Sequence, residues 1–179
     1  GTKDPKIAGI YYQIAEAYGQ LHMYDDALKY YQLSLKSNII DFDETDIFKK
    51  STRKGALDNI GLLKALFGKA QVIQKTTDSR SDLIKNKASL KLLMVCDSII
   101  DEMRFSLINN ADRIILSQWT VSIYKYAISV AFELYRITTD RRYLEMAFIY
   151  TDKSKAATLK YEVNDLLFKR NNLLPGELL

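Results

Sequence analysis

Apolar residues recur at three- and four-residue steps through most of this chain, and the breaks in that rhythm divide it into hairpins. Tyr11, Ile14, Ala15 and Tyr18 share one helical face, a short polar turn follows at Gln20 to Met23, and Tyr24, Ala27, Leu28, Tyr31 and Leu35 take the rhythm up again. Small Ala15 and Ala27 stand twelve residues apart, where two antiparallel helices cross most closely, and aromatic side chains flank both to fill the space beside them. Asp4 and Pro5 supply an N-cap and a first-turn proline for the first helix. Asp25 and Asp26 put negative charge where the dipole of the second helix favours it. The pattern predicts a helix hairpin over about 5–37.

From Ile40 to Leu57 the rhythm weakens. Four acids are followed by four basic residues, with Phe42, Ile47 and Phe48 as isolated anchors and Gly55 near the end. An irregular excursion over about 40–57 fits this composition, and a helix extending from Asp46 is the rival reading.

A second hairpin is expected over about 58–105. Asp58 or Asn59 caps its first helix, which runs through Leu62, Leu63, Leu66, Ala70 and Ile73 to a break at Thr76. Thr77, Asp78, Ser79 and Ser81 form the turn, and Ile84, Ala88, Val95, Ile99 and Met103 mark a long partner helix. Gly61 and Gly68 lie seven apart on one face, which either lets a neighbouring helix approach closely or reflects glycines tolerated at a modest cost. A third hairpin follows over about 111–169, capped by Asn110 or Asp112 and carrying Ile115, Trp119, Ser122, Tyr126, Val130, Leu134 and Ile137. Its turn, Thr138-Thr139-Asp140, repeats Thr76-Thr77-Asp78 sixty-two residues upstream, and each copy opens a return helix: Ile84 with Ala88, Tyr143 with Ala147. The apolar pattern fades beyond Leu167 or Phe168, and Pro175 and Gly176 close the chain. Three hairpins side by side would bury faces that none could bury alone.

The first hairpin resembles a tetratricopeptide repeat, whose period is about 34 residues. It keeps the Ala/Tyr framework but lacks the Trp, and has His22 where a turn Gly is common and Ile39 where a Pro is common. The expected fold is all-α: a tetratricopeptide-like array of three antiparallel helix hairpins, a right-handed α-solenoid whose later hairpins are longer than the first. Punctuation supports the class. Only 7 Gly and 2 Pro occur, the prolines near the two ends, whereas a β-sandwich or doubly wound fold of 179 residues needs more turn residues.

Charge and single residues then narrow the chemistry. A net charge of +4 arises from 26 basic and 22 acidic residues scattered along the chain, with no dense basic block interleaved with aromatics, so nucleic acid is not an expected partner. The single Cys rules out an internal disulfide. With no signal peptide and no 18-residue apolar run, no membrane span is expected and a cytoplasmic location is favoured. Gly1 reads as a scar of tag removal, in which case missing export signals say nothing about the parent protein. Cys96, beside Val95 and Ile99, reads as a small buried thiol, and His22 as a solvent-facing turn residue. One His and one Cys cannot make the usual zinc sets. Neither an ExxH pair nor a phosphate-cradling Gly-rich loop is present. No catalytic residue, metal or cofactor is therefore expected, and the chain reads as a non-enzyme.

Binding is the remaining role. Six of the 12 Tyr fall between Tyr11 and Tyr31, a stripe that reads first as packing. Tyr12, Glu16 and Gln20 lie off the packed face of the first helix, on the side that lines the groove of a repeat array. Lys64, Phe67, Gln71 and Gln74 hold comparable places in the second hairpin, and Ile128, Phe132 and Tyr135 in the third. These ten form a candidate partner-binding groove; the alternative is that a neighbouring helix buries the apolar ones. The expected function is a protein- or peptide-binding module, with a helical small-molecule sensor or a structural spacer, including a homodimerisation unit, as alternatives.

Longer stretches carry a closer resemblance. LLKALFGKAQVIQKTTD, the run Ile99-Ile100-Asp101-Glu102-Met103-Arg104, AISVAFELYRITTDRRYLEMAFIYTDKSKAATL and Leu174-Pro175-Gly176-Glu177-Leu178-Leu179 are similar to the repeat region preceding a CHAT domain, a caspase-like peptidase module of bacterial proteins. The likeness is most specific from Ala127 to Leu159, in the series Tyr143-Leu144, Ala147-Phe148, Ser154-Lys155-Ala156. Asp152 departs from it, standing where the family has Glu, and the segment from Lys160 to Pro175 is short. The resemblance implies that the repeats position or restrain a C-terminal peptidase-like effector. Its catalytic Cys and His would lie beyond Leu179 and map to no residue of this chain.

Overall fold

Six helices make up the fold in a computed structural model that describes residues 3–42, 55–76, 80–106 and 110–173. They are α1 (Pro5–Gln20), α2 (Tyr24–Asn38), α3 (Asn59–Ile73), α4 (Asp82–Ser106), α5 (Asn110–Thr138) and α6 (Arg141–Leu173). Consecutive pairs pack most extensively, giving three hairpins, and α2 to α3 and α4 to α5 contacts join them side by side in a solenoid-like row. The later hairpins are the longer ones, through α4, α5 and α6 of 25, 29 and 33 residues, while α3 with 15 is no longer than α1 or α2. Ile47, Phe48, the rival helix from Asp46, the turn Thr77-Asp78-Ser79 and the segment from Leu174 onward lie outside the described residues.

Local chemistry sets the helix ends. The Asp4 carboxylate accepts from the Lys6 amide with Pro5 at the first helical position, and the Asp58 carboxylate accepts from the Ile60 amide. Asn110 and Asp112, read as caps, both fall inside α5. His22 and Thr139 end their helices with positive φ, 60° and 55°, the left-handed turn that glycine makes at least cost. The Asn38 side chain exchanges hydrogen bonds with the Asp58 backbone at 2.7 and 2.8 Å, and Ile39 pairs with Ala56 in an isolated antiparallel bridge, while most of the expected excursion, residues 43–54, lies outside the described residues. The end of α2 is thereby fastened to the start of α3, with Phe42 buried beside them.

One continuous core runs through the three hairpins. Ala15 and Ala27 are fully buried in it. Tyr11 and Tyr18 lie against Tyr30 with ring centroids 6.2 and 5.3 Å away, so much of the N-terminal tyrosine stripe is packing. Gly68 settles the ambiguity over the α3 glycines on one side: a Cβ there would stand 2.4 to 2.6 Å from Tyr31, so α2 comes close only because that methyl is absent. Gly61 is small for another reason, since its Cβ would strike the capping carboxylate of Asp58 at 2.5 Å.

Polar groups inside this core are paired. Lys69, fully buried, donates to Gln32 at 2.7 Å, Lys85 to the Thr76 carbonyl at 2.6 Å, and Ser89 to the Ala70 carbonyl at 2.8 Å. At the third hairpin, Asp97 of α4 accepts from Tyr124 of α5 at 2.8 Å and from Lys153 of α6 at 2.5 Å, and Lys153 also reaches Asp101 at 3.0 Å. Burial alone would lower the Lys153 pKa, but the bonds to the two carboxylates outweigh it and carry it upward. This network ties α6 to α4 as well as to α5.

Candidate functional site

The ten residues that the sequence assigns to comparable flanks lie on α1, α3 and α5, with Gln74 at the C-cap of α3. Tyr12 rests against Tyr31 of α2, ring centroids 6.2 Å apart. Tyr12 shares a cleft of about 220 Å³ with Pro5, Gly9, Gln13, Ile60 and Lys64, whereas the Glu16 carboxylate turns inward and accepts a hydrogen bond from Tyr31. The Tyr12 phenol is pushed up to about 12 by burial and by the nearby Glu16 carboxylate, and Tyr31 is raised further, by burial and then by the same carboxylate. Gln20 is exposed.

On α3 the equivalent flank is covered by α5. Phe67 is buried, edge-on to Trp119 and Tyr126 with centroids 6.2 and 5.9 Å apart. Lys64 holds its ammonium 5.6 Å from the centre of the Trp119 ring, and Gln74 accepts from the Tyr126 hydroxyl at 2.8 Å while donating to Asn86 at 2.7 Å. Gln71 is half-buried. Of the two readings for the apolar member here, burial by a neighbouring helix holds.

On α5 no described hairpin covers the corresponding flank. Ile128 and Tyr135 are half-buried, and Phe132 keeps 55% of its surface exposed, its ring edge-on to Tyr135. Beside this row runs a trough of about 350 Å³ between α5 and α6, lined by Ile128, Thr151, Ser154, Lys155, Thr158, Leu159 and Glu162. Its α6 wall continues into an apolar stripe: Leu144 is exposed, Phe148 is 68% exposed and Leu159 63%. Sequence reasoning missed these α6 residues because Tyr143, Ala147, Tyr150, Ser154 and Ala157 already make one good packing face. The signal was present as a second apolar series, Leu144 and Phe148 four apart, lying off that face.

The remaining chemistry is structural. His22 is an exposed turn residue whose Nδ1 lies 2.7 Å from the Tyr24 hydroxyl. Cys96 is fully enclosed in the core, and burial pushes its thiol well above the ordinary range, which makes it a poor nucleophile. Among the described residues no cluster of His, Cys, Asp or Glu is placed to hold a metal ion. No described helix is long and apolar enough to cross a membrane.

Fold and faces together define the class: an all-α row of stacked helix hairpins that exposes Phe132 and Phe148 on α5 and α6. No protein-family model matches the chain, and no curated protein or solved structure matches it.

Proposed function

We propose that this chain is a non-enzymatic, tetratricopeptide-like module that binds protein through the open α5/α6 face. The observation that carries this is the contrast between corresponding rows: Tyr12 and Glu16 are half-buried against Tyr31, Phe67 is buried against Trp119 and Tyr126, and Phe132 stands exposed, as does Phe148 of α6. Leaving an aromatic side chain in water forgoes about 1.5–3 kcal/mol, and exposed apolar side chains beside a trough lined by Lys155 and Glu162 are the kind of surface that marks an interaction site. By its resemblance to the repeats preceding CHAT domains, the module would position or restrain a caspase-like effector. Recognition would rest on shape and apolar burial, with no bond-making by this chain.

The test is site-specific photocrosslinking in cells of the source organism. A benzoylphenylalanine placed at Phe148 should trap a discrete protein adduct, while the same probe at Asp25, on the exposed side of α2, should trap none. Equal background labelling from both positions would refute the reading.

A further inference from the structure

We infer that the open α5/α6 face receives the α1 face of a second copy of this chain, so that copies associate head to tail. The inference rests on the reading that this face is a docking surface, and it names the occupant. Its basis is continuity with the interfaces already built inside the chain. The first two hairpins each offer the next one a forward row, Gly9 and Tyr12 on α1 or Lys64 and Phe67 on α3, and the next hairpin answers with a backward row from its own first helix. On α5 that backward row is Trp119 and Tyr126, seven residues apart, which close on Phe67. On α3 it is Ile60 and Gly61, which line one cleft with Gly9 and Tyr12.

The backward row of α1 has the same spacing and, among the described residues, no hairpin against it. Ile7, Ile14 and Leu21 recur at seven-residue steps on the side of α1 opposite the Gly9, Tyr12 and Glu16 flank that faces α3, with Ile10 between them. Ile10 is 56% exposed and Leu21 67%, while Ile7 and Ile14 are half-buried. Among the described residues the molecule therefore presents a forward row (Ile128, Phe132, Tyr135, with Phe148 alongside) and a backward row with no hairpin against them, each apolar. Inside the chain the corresponding faces meet where Trp119 and Tyr126 close on Phe67. Because the two faces are different patches, pairing them is heterologous, and every added copy exposes the same pair of faces again.

Sedimentation velocity over a concentration series, with variants in each face, tests this. The unsubstituted chain should form dimers and longer species as concentration rises. Phe148→Glu and Ile10→Glu should each weaken association at least about thirtyfold, the scale of losing a central aromatic or aliphatic anchor, with unchanged helical circular dichroism. Mixing the two variants should restore a dimer and nothing larger, since one intact forward face and one intact backward face remain. Loss on Phe148→Glu alone, with Ile10→Glu without effect, would mean a two-fold α6 to α6 contact and overturn the head-to-tail pairing. A chain monomeric throughout would overturn the second copy as occupant. In that case an adduct to a different protein from the Phe148 probe leaves the docking surface standing, and its absence removes that reading too.

Discussion

Replacing Gly68 by alanine is the sharpest test of how the hairpins interlock. Alanine is ordinarily the better helix residue by about 1 kcal/mol, so secondary-structure propensity alone predicts that Gly68→Ala stabilises the protein. Tertiary structure predicts the reverse. The new methyl would lie 2.4 to 2.6 Å from the hydroxyl, Cζ and Cε1 of Tyr31, against 3.4 Å for ordinary contact, so that ring or the helix carrying it must retreat by about 1 Å. Tyr31 has nowhere easy to go, being 2% exposed and bonded to the Glu16 carboxylate. Overpacking of this kind costs about 1–3 kcal/mol. Losing the hydrogen bond to a charged acceptor adds about 1.5–3 kcal/mol. After the propensity gain the expected net destabilisation is about 1.5–5 kcal/mol, a fall in Tm of about 3–20 °C for a domain of this size. Thermal and urea unfolding measure it directly, and a double-mutant cycle assigns the cause. In a Tyr31→Leu background the ring is gone, and Gly68→Ala should be neutral or mildly stabilising. A single Gly68→Ala variant as stable as the parent, or the same loss in both backgrounds, would refute the account.

Three further outcomes are expected. Phe67→Ala should cost about 3–5 kcal/mol in denaturant unfolding, whereas Phe132→Ala, at the equivalent but open position of α5, should change stability by no more than about 0.5 kcal/mol. Stability should fall as pH rises from about 10 toward 12, because Tyr12 and Tyr126 are pushed up to about 12, so the native state holds protons that the unfolded state releases. Unfolding midpoints across that range, with phenolate absorbance following the tyrosines, check the sign. Thr139→Gly should stabilise by about 0.5–1 kcal/mol, since relief of a left-handed β-branched residue outweighs the added freedom of the unfolded chain; a higher urea midpoint at unchanged slope is the expected readout.

Much of the architecture was legible in the residues themselves. Helical periodicity, scarce Gly and Pro, the caps at Asp4 and Asp58 and the small, buried pair Ala15 and Ala27 are local or short-range signals, so they carry the all-α class and the pairing of helices into hairpins without knowledge of what packs where. The same periodicity assigned Tyr12, Phe67 and Phe132 to comparable rows of their helices. It could not say which rows meet a neighbour, because a helical wheel gives an angle around one axis and contains nothing about the next axis.

That decision belongs to tertiary structure. Only the stacking of hairpins puts Trp119 and Tyr126 over Phe67, turns Glu16 inward to Tyr31, lets α2 press against Gly68 and leaves Phe132 and Phe148 in solvent. The physical reason is that burial is a property of pairs of surfaces distant in sequence. Three rows with similar spacing therefore acquire three different fates from their position in the stack, and the candidate site is the row to which no described helix was assigned.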